Sequence, residues 1–344
     1  MPETDTMMPM SDTRAPVRLG FLLIDDFALM SYASVIEPFR AANVLSGTTL
    51  YSWRHFSVGG GPARASNGVD MVVDGILGRA ERVDMLFVCA GGNPSAFADA
   101  RTLARLRDAA ARGVVVGGVS GGPFILARAG LLAGHRCTIH FEHAPAFAEA
   151  FPDLGPDPGL YVIDGARVTC AGGIAGLDLA VELIARAHGP ALAQRVGEWF
   201  IRTQPRDGGG AQRASLVERY RVTHKGVLAA LAAMEAQIAE PLPRAELARI
   251  AGLSVRQLER LFLATLGRTI GREYLRLRLE GAMRLLRETG VPRREVGGAC
   301  GCGGGSDQTL SVGEGQTMSP LGARRGAPSG KRSSAPAPGE GPPP

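Results

Sequence analysis

The run Val114 to Val119 ends on Ser120, and Gly121, Gly122 and Pro123 follow at once. A buried strand that stops at a hydroxyl residue and turns into a helix within three residues holds that hydroxyl on a tight elbow, where a nucleophile would stand. A serine needs an adjacent base to lose its proton, and Gly-Val-Ser-Gly-Gly-Pro supplies none. His140 and His143, in the run Thr138 to His143, are the imidazoles that would approach it in space, which keeps a Ser120-dependent hydrolase as the rival reading. The same run sets His140 and Phe141 beside Glu142, and imidazole and aromatic faces next to a carboxylate form a wall suited to a bound cation. Helix entry and core packing is its alternative, with Phe141 and Phe147 buried and His143 capping. A second chemistry lies between residues 254 and 260. Ser254 is a helix cap, Leu258, Leu261, Phe262 and Thr265 share one face by the 3.6-residue period, and Arg256, Gln257, Glu259 and Arg260 belong to the polar side. A helix with an apolar back and an arginine-bearing front fits the major groove of double-stranded DNA.

To hold Ser120 in place, the first two hundred residues must alternate strands with helices, which predicts an α/β fold: a doubly wound parallel sheet. The expected strands are Arg18 to Ile24, Trp53 to Val58, Asp84 to Ala90, Val114 to Ser120, Cys137 to Phe141, and a hairpin of Tyr161 to Ile163 with Arg167 to Cys170 across Asp164-Gly165. The expected helices are Tyr32 to Val44, Phe97 to Arg112, Pro123 to Leu131 and Leu177 to His188, with Trp53 and Trp199 in the core. Three consecutive glycines within polar surroundings, Gly208 to Gly210, mark a flexible connection. Beyond it two short helices meet at Ala251-Gly252-Leu253-Ser254, where Gly252 ends one and Ser254 caps the next. The expected layout is a tail over 1–17, an α/β domain over 18–202, a linker over 203–222, an all-α helix-turn-helix domain over 223–296, and a disordered tail over 297–344.

With 344 residues and 45% hydrophobic content the chain buries a substantial core, and its length favours two domains. No apolar run reaches the ~20 residues of a membrane span, and the first seventeen residues lack the basic start and apolar block of a secretion signal, so a cytoplasmic protein is expected. The net charge is +5, yet residues 213–296 hold sixteen Arg and Lys against nine Asp and Glu, which concentrates the positive excess in the helix-turn-helix region. Five scattered cysteines suit reduced thiols; neither a metal site nor a cofactor is expected.

Residues 18 to about 200 resemble the class I glutamine-amidotransferase-like superfamily in its PfpI branch. The resemblance is carried by Glu37 in the first helix, the loop Asp-Met-Leu-Phe-Val-Cys-Ala-Gly-Gly-Asn-Pro ending at Pro94, and the elbow at Ser120 and Gly121. In enzymes of that superfamily the elbow residue is a cysteine, usually followed by histidine, whereas here it is serine followed by glycine, which argues for ligand contact over catalysis. The stretch from Pro241 to Phe262 and the helix after it are similar to the AraC/XylS family. The two together resemble GlxA-type regulators, whose members respond to amino acids or quaternary ammonium compounds such as glycine betaine and carnitine. The resemblance implies a sequence-specific regulator that binds double-stranded promoter DNA, with a small-molecule effector at Glu37, Ser120, Gly121, His140 and Phe141, dimeric through its α/β domain. AraC-type regions carry a second helix-turn-helix, and here the fit stops at Val296. Residues 297–344 hold thirteen glycines and seven prolines, and no aromatic residue follows Tyr274, a composition that builds no core. An altered reading frame near codon 297 accounts for such a change, and a DNA-binding-defective remnant is the further alternative.

Overall fold

The computed structural model describes residues 15–78 and 81–289. Its elements run β1 (Val17–Leu23), α1 (Leu29–Ser46), β2 (Tyr51–Ser57), β3 (Ala63–Arg64), β4 (Asp70–Met71), β5 (Gly75–Ile76), β6 (Met85–Ala90), α2 (Ala100–Ala111), β7 (Val115–Ser120), α3 (Gly122–Arg128), α4 (Ala144–Ala150), β8 (Tyr161–Asp164) and β9 (Arg167–Cys170). Helices α5 (Ala175–His188), α6 (Pro190–Trp199), α7 (Leu216–Tyr220), α8 (Lys225–Ala236), α9 (Arg244–Ala251), α10 (Val255–Leu266) and α11 (Ile270–Thr289) follow.

Apolar runs such as Leu-Phe-Val-Cys-Ala in β6 are buried on both faces, as central parallel strands must be. The main sheet has the order β5-β2-β1-β6-β7-β9-β8. All its pairs are parallel except β8 with β9, which turn back on each other at Asp164-Gly165 as the sequence predicts. One core, with Phe39, Leu179, Ile184 and Val196, lies under α1, α5 and α6; the other, with Leu106, Phe124, Ile125 and Phe147, lies under α2, α3 and α4. Helices on both faces make the sheet doubly wound. Close approach of α3 to the sheet depends on glycine, since a Cβ on Gly122 would collide with the Val88 carbonyl.

Three expectations need correction. Cys137 to Phe141 is not a strand: only Thr138 bridges, to Asp157, and its amide donates to the Thr169 hydroxyl (2.9 Å) rather than to a ladder. Trp199 is 48% exposed, because the buried residues of α6 are Ala193, Val196 and Gly197. Trp53 packs half-buried against the first core. Nor does the glycine-rich segment run free of the α/β fold: the Gly208 carbonyl accepts from Leu160 N (2.7 Å), and Gly208 and Gly159 pack backbone to backbone.

The last helices enclose a separate core of Val227, Leu231, Met234, Leu247, Leu258, Phe262, Ile270 and Tyr274. Gly252, with φ +67°, ends α9 in the left-handed region that favours glycine. Ser254 then caps α10 with a reciprocal box, Ser254 Oγ accepting from Gln257 N while Gln257 Oε1 accepts from Ser254 N. The altered region after Val296 lies outside the described residues.

Candidate functional site

Ser120 ends β7 with φ +60°, a strained conformation for serine, and is buried. Its register partner on β6 is Ala90, and its carbonyl accepts from His140 N (3.3 Å). Gly172, with φ +84°, passes so close that a Cβ there would lie 2.7 Å from both Ser120 Cβ and Ser31 Oγ. The α1 residue that meets the elbow is therefore Ser31, whose hydroxyl accepts from Gly173 N (2.7 Å). Glu37 lies six residues further along α1, about 9 Å by helical rise, where it pairs with Arg40 (2.6 Å). The Gly121 amide donates to the Ala90 carbonyl (3.0 Å) and has no spare hydrogen for a ligand. Among the described residues no hydrogen bond joins Ser120 Oγ to an imidazole, so the elbow shows no assembled nucleophile and base.

The two histidines stand together at the carboxyl end of the sheet. The His140 ring lies 4.5 Å from that of Phe141 and 5.8 Å from that of His143, centroid to centroid. Burial lowers the pKa of His140, and for His143 burial, with His140 beside it, pushes the value down to about 4. Both rings are thus neutral at pH 7. His143 takes up its proton near 6.5 when unfolded and near 4 when folded, so the unfolded chain binds more protons between those values. Folding stability is therefore expected to fall as pH drops from about 6.5 towards 4, by up to about 3 kcal/mol from this residue. Denaturant titrations of the protein and of His143→Gln across that range test this, and an unchanged pH slope in the variant would refute it.

His140 and Phe141 line a cavity of about 150 Å³ with Gly172, Gly173, Arg206 and Gln212. Phe141 and Gln212 also line, with Arg213, a larger one of about 410 Å³, bordered by Ile139, Ala144 and Pro158. Asp178, only 1% exposed, holds both Arg202 (Nε to Oδ1, 2.7 Å) and Arg206 (Nε to Oδ2, 2.9 Å). Two guanidinium groups share one carboxylate, which leaves this corner of the smaller cavity positive. Arg206, Gln212 and Arg213 belong to the glycine-rich segment whose composition predicts a flexible connection. Their only signal was the polar character of the stretch.

In the helix-turn-helix, Arg256 and Arg260 are exposed on α10 one turn apart, with no ion pair among the described residues. Ser254 and Gln257 are exposed too, but their side chains are engaged with each other in the cap. Glu259 keeps its Oε2 buried without a hydrogen-bond partner among the described residues.

Residues 18–186 match the DJ-1/PfpI family. Over 296 residues the chain is 42% identical to the HTH-type transcriptional regulator GlxA of Rhizobium meliloti, covering 86% of this chain and 91% of that protein. The chain belongs to the GlxA-like HTH-type transcriptional regulators. This regulator is also 41% identical over 281 residues to the HTH-type transcriptional regulator CdhR of Pseudomonas aeruginosa, covering 82% and 83% of the two chains. A crystal structure of a ThiJ/PfpI family protein from Pseudomonas syringae superposes with a TM-score of 0.50 at 21% identity, over 74% of this chain and 98% of that one, and supports the fold. The isonitrile hydratase of Pseudomonas putida is 32% identical over 184 residues, 52% of this chain and 76% of the enzyme. The relatives that span both regions are thus regulators, while the enzyme matches about half of the chain. No helix among the described residues is long and apolar enough to cross a membrane.

Proposed function

We propose that this regulator binds double-stranded promoter DNA in a sequence-specific way through α10, acting in the cytoplasm as a homodimer and without turning over a substrate. In this reading a small amino-acid-like or quaternary-ammonium metabolite, held in the cavity walled by His140 and Phe141, controls binding. The observation that carries it is the pairing, in one chain, of a capped helix-turn-helix bearing two exposed arginines with a PfpI-type elbow whose serine has no imidazole hydrogen-bonded to it among the described residues. The neutral His140 imidazole gives a cationic group an uncharged neighbour beside a Phe141 ring that already carries the Arg213 guanidinium, and the arginine excess at Asp178 suits a carboxylate.

Selection of genomic fragments on the purified regulator, followed by mobility shift, tests the reading. A specific fragment is expected to be retarded equally by the protein and by Ser120→Ala. Turnover of an amide or isonitrile that disappears in Ser120→Ala, with no fragment retained, would replace the regulator reading with the hydrolase one.

A further inference from the structure

The larger cavity, of about 410 Å³, is walled mostly by apolar residues: Ile139, Phe141, Ala144, Pro156, Pro158 and Ala211. A hollow of that size falls within the range of small-molecule sites, and at roughly 30 Å³ for each water-sized volume it holds on the order of a dozen non-hydrogen atoms. Two charged residues also belong to its wall, Asp157 and Arg213. The Asp157 carboxylate is already matched by Arg136, whose Nη2 donates to Oδ2 at 2.7 Å. Arg213 is matched less well. Its guanidinium lies over the Phe141 ring, 5.1 Å from the centroid, and 3.9 Å from Glu235 on α8, and it makes no hydrogen bond among the described residues. Glu235 is itself held by Arg219, through a hydrogen bond of 2.8 Å to each of its oxygens. One carboxylate therefore faces two guanidinium groups, and the surplus positive charge is that of Arg213. The Arg213 side chain is 43% exposed, so a ligand can reach it.

We infer that this cavity is a second binding site, for a small apolar carboxylic acid whose carboxylate pairs with Arg213 and whose aryl or branched alkyl part lies against Phe141 and the prolines. The inference does not depend on what occupies the smaller cavity, whose charged corner is the Asp178 cluster. A cationic ligand in the larger one would meet a like charge, because the Phe141 ring already carries a guanidinium. A neutral ligand gains the apolar wall and leaves Arg213 unmatched. A carboxylate gains both, since guanidinium and carboxylate form a charge-assisted pair of matching geometry. The same contact reaches the DNA-binding half. A bound carboxylate competes with Glu235 for Arg213, and the loss to Glu235 is small because Arg219 already serves both its oxygens. Next to Arg213, Gln212 Nε2 donates to Thr138 Oγ1 and to the Ile139 and Gly159 carbonyls, which keeps the stem of Arg213 on the α/β fold whichever carboxylate its guanidinium meets.

Titration calorimetry on the full chain with benzoate, phenylacetate, indole-3-acetate and 4-methylpentanoate, each against its primary amide, tests this. At least one acid is expected to bind about tenfold or more tighter than its amide. Arg213→Met keeps an apolar stem without the charge and is expected to abolish that preference. Glu235→Gln removes the competing carboxylate and is expected to tighten the acid by about threefold while leaving the amide unchanged. Equal binding of acids and amides, a preference that survives in Arg213→Met, or binding of none of the eight compounds overturns the site. An unchanged acid affinity in a folded Glu235→Gln overturns the competition with α8. Should circular dichroism show that Glu235→Gln has lost its helices, operator affinity of the unsubstituted protein with and without the bound acid decides that competition, and no change overturns it. Binding of glycine betaine or of amino acids reports on the smaller cavity, so failure of the effector reading and failure of this site are seen separately.

Discussion

Replacing Arg256 and Arg260 together by alanine is expected to lower affinity for a selected operator by about 10²-fold or more. Each arginine that meets a guanine edge is worth about 1–3 kcal/mol of discrimination, or roughly ten- to a hundredfold, and one that meets a phosphate adds to the salt dependence instead. The two positions are separated by one helical turn on α10, and both are exposed, while Leu258 and Phe262 fix the opposite face of that helix in the core. The substitution therefore removes two guanidinium groups without touching the fold. Titrations at several salt concentrations separate the two roles: the slope of log K against log salt is expected to shrink by about one for each phosphate that no longer meets a guanidinium. Ser254→Ala is a different case. Its hydroxyl serves the cap, so its cost is expected in helix stability, about 1 kcal/mol, more than in sequence preference. Arg249→Ala is the control, since that guanidinium is on α9 and already held by Glu246. Unchanged affinity and unchanged salt slope in the double variant would mean that α10 is not the reading helix.

The strands of the sheet were legible wherever burial and pairing coincide. Within β6 and β7 themselves every buried residue also enters a ladder, and an apolar run in sequence is then a strand in space. Between Cys137 and Ile139 the two properties come apart. Cys137, Thr138 and Ile139 are all buried, as in a central strand, but the Thr138 amide meets a threonine hydroxyl and its hydroxyl meets the Asp157 and Gly159 carbonyls. A short apolar run reports burial, and side chains can satisfy a buried backbone as well as a ladder does.

The site divided in a similar way. The elbow at Ser120 was legible because its chemistry is local, a strand end followed by glycines and a proline. Ser31 was not, since a serine in the first turn of a helix reads as a solvated or capping residue, and only the fold brings it against Gly172 and Ser120. Gln212 was further out of reach. Its partners are 53 to 74 residues away in sequence, and it follows three glycines that read as flexibility. A flexible-looking segment becomes ordered when a few polar side chains in it find buried partners, and composition does not foretell which ones will.

The largest effect on stability is expected at Asp178. Its carboxylate lies in the first turn of α5, where the helix dipole favours negative charge, and it is almost fully buried between two guanidinium groups. Asp178→Asn keeps the shape and removes the charge, leaving Arg202, itself mostly buried, and Arg206 facing each other without a counterion. Breaking a buried ion pair by removing one partner costs about 3–5 kcal/mol, because the remaining charge has neither water nor partner. In this case two like charges remain. Thermal unfolding is expected to move down by about 10 °C, with the slope of a few degrees per kcal/mol that applies to chains of this size. The loss should also be local, since Arg202 and Arg206 tether the start of the segment that carries Gln212 and Arg213. Brief trypsin treatment is expected to cut the variant after Arg206 and Arg213 while the unsubstituted protein resists. Replacing all three residues by apolar ones of similar volume, Asp178→Leu with Arg202→Met and Arg206→Met, separates charge from packing. That triple variant is expected to recover most of the stability lost in Asp178→Asn, because no unpaired charge is left in the interior. It should not recover carboxylate binding, because the surplus guanidinium is gone. If Asp178→Asn melts with the unsubstituted protein and resists trypsin equally, the cluster is not what holds the segment to the sheet.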